Sequence, residues 1–106
     1  MIARTPTPPY YAVIFTSVRT DVDGGYAIMA TLLEELAKKQ EGYLGIESAR
    51  EDVGITVSYW TSLAAIQSWR EQVQHAAAQK LGRARWYESY FIRICLVERA
   101  YSFGIE

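Results

Sequence analysis

The sequence is short of the residues that build the commonest kinds of site. It has one Cys and one His. A single Cys forms no internal disulfide, which excludes a stapled extracellular scaffold. One Cys and one His also fall short of the usual ligand set of a zinc site. Charge of one sign is lacking too, with 11 Lys and Arg against 12 Asp and Glu and a formal net charge of -1. Nucleic-acid binding normally shows as a basic excess or stripe, so none is expected. No apolar run approaches the ~20 residues that span a bilayer, and no membrane association is expected. The 3 prolines all fall at positions 6, 8 and 9. That opening stretch, 1–9, has no hydrophobic signal core and reads as a flexible N-terminal arm. A reducing, cytoplasmic setting is the expectation. There is no GxGxxG, Walker or HExxH sequence, so no cofactor or metal is expected.

What is present is a chain of 106 residues, 50% hydrophobic and 22% charged. That length and balance make one globular domain, placed at 10–106. A β-branched and aromatic run from Tyr10 to Arg19 predicts a strand. Asp21 or Asp23 is positioned to cap a helix over 26–41, where Met29, Leu32, Leu33 and Leu36 keep helical spacing. Gly42 is its expected stop. Two short strands, Leu44–Arg50 and Ile55–Trp60, flank the connection 51–54, where Gly54 suits a positive φ. Thr61 or Ser62 caps a second helix that ends at Gly82. A long strand from Trp86 to Tyr101 closes the chain. The order β-α-β-β-α-β is an α+β, ferredoxin-like arrangement with an antiparallel sheet.

Both faces of the first and last strands are apolar. Tyr11, Val13, Phe15 and Ser17 alternate with Ala12, Ile14, Thr16 and Val18. Two helices cover one face of such a sheet and leave the other bare. A bare apolar face of that size marks an interface, so a homodimer packed sheet against sheet is expected, with Tyr101 and Phe103 as anchors for a reach over the partner.

Gly42-Tyr43-Leu44-Gly45-Ile46-Glu47-Ser48-Ala49-Arg50 resembles the helix-to-strand junction of the antibiotic biosynthesis monooxygenase family. Gly54 to Trp60 is similar to its third strand. Trp69-Arg70, His75, Ala78-Gln79, Gly82-Arg83 and Trp86-Tyr87 follow the pattern of its small bacterial members. The likeness runs from about 10 to 103. It implies a dimeric α/β barrel and oxygenation of a small aromatic or quinol-type molecule without metal or organic cofactor. Relatives in the superfamily degrade haem, isomerise or dehydrate small molecules, so fold alone decides little.

The candidate catalytic residues are His75 and Ser17. His75 is the only imidazole available for proton transfer near neutral pH. The resemblance places it near a pocket. Helical phase places it off the face defined by Ile66, Trp69, Val73, Ala76 and Ala77, unless the helix breaks near Gln72. Ser17 offers a hydroxyl to a carbonyl, or is simply satisfied within the sheet. Trp69, Trp60, Ser58, Tyr90 and Arg83 are the candidate substrate-binding residues. Trp69 has the alternative of plain core. Haem degradation is disfavoured, because the first strand has Thr16 and Ser17 where an Asn is expected. Arg93 is expected partly buried, paired with Glu47 or Glu88 across the subunit interface, with an anionic substrate as the alternative partner. Cys95 reads as a small buried hydrophobe. A small-molecule enzyme and a non-catalytic dimeric ligand-binding or structural module both fit this inventory.

Overall fold

The computed structural model describes residues 1–80 and 86–105. Its elements are β1 (Tyr10–Arg19), α1 (Tyr26–Lys38), β2 (Tyr43–Arg50), β3 (Gly54–Trp60), α2 (Leu63–Lys80) and β4 (Tyr87–Val97). The four strands form one antiparallel sheet in the order β2-β3-β1-β4. This is the ferredoxin-like fold expected from the pattern.

Register explains where β4 stops. Its sole neighbour is β1, and β1 begins at Tyr10, which pairs with Val97. Residues beyond Val97 have no strand to join, so the strand is shorter than its apolar sequence suggests. A register shift between Val18 and Arg19 marks an irregularity at the other end of the pair.

The helix ends depart from the expected caps. Asp23 does not cap α1; its carboxylate pairs with Arg19 at 2.8 Å. Gly25, in the left-handed conformation at φ 79, is the N-cap instead. α1 ends at Lys38, and Gln40 and Tyr43 continue in tight turns onto Ala37 and Gln40 carbonyls. Gly42 then turns the chain at φ 91, where an added Cβ would also meet Ala65 at 2.6 Å. Ser62 caps α2 as expected, its Oγ accepting from the Ala65 amide at 3.0 Å. The expected stop of α2 at Gly82 lies outside the described residues.

Opposed residues of an antiparallel sheet share a face. Tyr11, Val13, Phe15 and Ser17 therefore lie with Thr56, Ser58 and Trp60, and with Tyr90, Ile92, Ile94 and Leu96. This is the helix face. Val13, Trp60, Ile66 and Ala37 form the core there. The opposite face carries Ile14, Thr16, Ile55, Val57, Phe91, Arg93 and Cys95, and among the described residues no helix covers it. Ile55 and Phe91 on it are about half exposed.

The N-terminal arm is tied to one end of this open face. The Ala3 amide donates to Glu47 Oε2 at 2.8 Å, and Tyr59 Oη donates to Glu47 Oε1 at 2.6 Å. The Thr5 and Tyr10 hydroxyls lie 2.7 Å apart in a further hydrogen bond. Burial, then the Glu47 hydrogen bond and charge, push the Tyr59 pKa well above 10.0. The Tyr87 pKa on the helix face is raised likewise, by burial and by a hydrogen bond with Tyr26. Both phenols are thus stabilised neutral in the folded state. The stability they contribute is complete below the unfolded tyrosine value near pH 10 and is lost as pH rises above it. Urea midpoints should therefore fall between about pH 10 and about pH 12, above that value, and a Tyr59→Phe, Tyr87→Phe double variant should show a smaller fall. An equal fall in both proteins would contradict this.

Candidate functional site

Two side-chain clusters occupy the helix face. The first is built at the C-terminal end of β3. Trp60 is fully buried, and its Nε1 donates to the buried Ser58 Oγ at 2.8 Å. Trp69 comes down from α2 and stacks on it, ring centroids 5.0 Å apart at 29°. Tyr43 meets Trp60 edge-on at 5.7 Å. The Trp69 Nε1 is buried and, among the described residues, has no hydrogen-bond partner. A buried unmatched donor costs about 1–3 kcal/mol, which a ligand acceptor would recover.

The second cluster sits at the other end of β1. Phe15 lies 5.4 Å from both Tyr87 and Tyr90. Tyr26, at the start of α1, closes on Tyr87 at 6.0 Å, with Arg19 stacked 3.5 Å over the Tyr26 ring. Ser17 is 2% exposed, and its hydroxyl receives the Arg50 guanidinium. Arg50 Nη1 also reaches the Ser17 carbonyl at 3.4 Å. Arg50 and Arg19 both act to lower the Tyr87 pKa, against the larger effects of burial and Tyr26 that raise it.

The structure thus brings Trp69, Trp60 and Ser58 together, and separately places Ser17 beside Tyr90. His75 does not join them. α2 runs unbroken through Gln72, so no break resets its phase, and His75 is exposed. Arg83 lies outside the described residues. Arg93 is exposed rather than partly buried. Its guanidinium lies 3.9 Å over the Phe91 ring, and within the chain Glu47 is occupied by Ala3 and Tyr59. Among the described residues no three His, Cys, Asp or Glu converge as metal ligands, and no helix is long and apolar enough to cross a membrane.

Sequence pattern does not single out Arg50, Tyr26, Tyr87 and Arg19 as site candidates. Arg50 has one signal, a Gly four positions later. Gly54 does not have the positive φ expected of it. The Arg50 guanidinium instead occupies the space into which a Cβ at position 54 would project.

A four-stranded antiparallel sheet with two helices on one face, aromatic clusters between them and an open opposite face defines a ferredoxin-like α+β protein. Residues 9–81 match the family model for antibiotic biosynthesis monooxygenase, and the chain belongs to that family. It is 51% identical over 100 residues to the uncharacterised protein YqjZ of Bacillus subtilis (strain 168), covering 92% of this chain and 88% of YqjZ. Among solved structures it resembles a mutant form of SnoaB, a cofactor-independent oxygenase from Streptomyces nogalater. The TM-score is 0.66 at 12% identity, over 92% of this chain and 98% of SnoaB. Protein SO0527 from Shewanella oneidensis gives a TM-score of 0.63 at 13% identity, over 93% and 100%. At those identities the structural likeness concerns the fold.

Proposed function

We propose that the protein is a cofactor-independent, monooxygenase-like enzyme acting on a small aromatic or quinol-type molecule held between the helices and the sheet. The observation that carries the reading is the Trp69 indole N–H, buried beside the Trp60 ring with no acceptor among the described residues. It suits a substrate carbonyl. The reaction class balances without an added reductant: a CH2 between two rings reacts with O2, one oxygen atom becomes the ring carbonyl and the other leaves as water with the two hydrogens. The protein then supplies deprotonation, orientation and exclusion of water. Family membership and the SnoaB-like fold support this reading. In it, Trp69 meets the ligand, the buried Trp60 backs the Trp69 ring, Ser58 fixes the Trp60 ring, and Ser17 and Tyr90 belong to the outer end of the same surface. The working unit is a homodimer joined through the open sheet face.

The test is oxygen uptake with an anthrone as substrate. Trp69→Phe keeps the ring and deletes the donor. Turnover should fall at least tenfold, since removing one preorganised donor from a developing oxyanion typically costs about 10²–10³. Ligand-free stability should stay equal or rise, because an orphan donor has been removed. His75→Ala should change turnover less than twofold, given its exposure; a hundredfold loss would restore the imidazole to the site. No uptake with anthrones or quinols would favour the second reading, a dimeric ligand-binding module without turnover, which the lack of an acid–base pair among the clustered residues equally accommodates.

A further inference from the structure

Two guanidinium groups stand at the outer end of the helix face. Arg19 lies 3.5 Å over the Tyr26 ring, and Arg50 is hydrogen-bonded to Ser17. Arg19 is neutralised by Asp23. Arg50 is not: among the described residues no carboxylate lies within ion-pairing distance of it. Its two hydrogen bonds both go to Ser17, one to the hydroxyl and one to the carbonyl. Three of its five N–H groups remain available. In this position the guanidinium fills the space that a Cβ at position 54 would enter.

A long flexible side chain loses entropy when pinned, and an exposed Arg gains little from two neutral acceptors. Pinning by a buried serine, over a glycine that holds the space open, is the arrangement of a preorganised anion receptor. Beside it stands an aromatic surface. Tyr90 opposes Ser17 in the sheet register and is 60% exposed. Phe15 and Tyr87 continue that surface inward.

We propose that Arg50, held by Ser17 over Gly54, binds the carboxylate of an aromatic acid whose ring lies against Tyr90, Tyr87 and Phe15. Fork-shaped guanidinium and carboxylate pair in two parallel hydrogen bonds, which fixes the plane of the acid as well as its charge. The inference rests on the helix face being the ligand surface, and it narrows the substrate class from aromatic molecules to aromatic acids.

The probes are 2-naphthoate and its neutral counterpart 2-naphthamide, titrated by fluorescence against the full chain under nitrogen, so that no turnover is involved. The wild-type protein should bind naphthoate at least tenfold more tightly than naphthamide. Arg50→Gln should remove that preference and change naphthamide affinity less than twofold. Gly54→Ala should act in the same direction by displacing the guanidinium, with the charge still in the chain. Arg50→Lys should restore part of the preference, since it keeps the charge and loses the fork. Equal affinity for the two probes in the wild type, binding of neither, or an unchanged preference in Arg50→Gln would each overturn the proposal. An absence of oxygen uptake with aromatic substrates would overturn the oxygenase reading and leave this one standing.

Discussion

Trp60→Ala is expected to destabilise the fold by about 3–5 kcal/mol, the usual cost of deleting a buried large aromatic. A domain of this size has about 5–15 kcal/mol in total, so the variant should lose a large fraction of its stability. Three losses combine. Trp60 is 0% exposed and fills the core with Val13, Ala37 and Ile66, joining both helices to the sheet. Its ring is the stacking partner of Trp69 and the edge-on partner of Tyr43. Its Nε1 is the hydrogen-bond partner of the Ser58 hydroxyl, which would be left buried and unmatched. Urea denaturation followed by circular dichroism measures the change without depending on indole fluorescence. A loss below about 1 kcal/mol, the scale of an ordinary substitution, would mean that Trp60 does not join the two layers.

Much of this architecture is legible in the sequence because it rests on local pattern. The β-branched runs at Tyr10–Arg19 and Gly54–Trp60 and the leucine spacing at 29–36 each report their own element. Boundaries depart from pattern where a distant group decides them. Asp23 is a good cap by type, but Arg19 captures its carboxylate, and Gly25 starts the helix. The sequence from Ala100 onwards gives no sign that β4 must end; the missing information is that β1 begins at Tyr10, opposite Val97.

The site divides in the same way. Trp69, Trp60 and Ser58 can be read from sequence because apolar helix phase and strand alternation bring them to one face. The phase that buries Trp69 also turns His75 outward, and the unbroken α2 keeps that relation. Arg50 escapes such a reading because its partner, Ser17, is 33 residues away in the chain. Its other contact, Gly54, looks from sequence like a turn glycine. A glycine kept for the room its missing side chain leaves is indistinguishable, on paper, from one kept for its φ.

Ile14→Lys is expected to convert a dimer into a monomer at about 10 μM protein, with a loss of association of at least 100-fold. The position is central to the open face: Ile14 pairs with Val57 on one side and Arg93 on the other. A lysine there would be buried at a sheet-to-sheet interface without a carboxylate and beside a second cation, and an unpaired buried charge costs several kcal/mol, where about 2.7 kcal/mol already gives 100-fold. In the monomer the same lysine reaches water, so folding should be nearly unaffected, and the urea midpoint of the isolated chain checks that. Ile28→Lys is the control. Ile28 is 77% exposed on α1, on the opposite side of the molecule from the open face, and its substitution should leave the association unchanged. Light scattering coupled to size exclusion reads all three proteins directly. A monomeric wild type would remove the dimer altogether. A dimer that survives Ile14→Lys but dissociates with Ile28→Lys would move the interface from the sheet to the helices, and the residues of the open face, Phe91, Arg93 and Cys95 among them, would then need another partner.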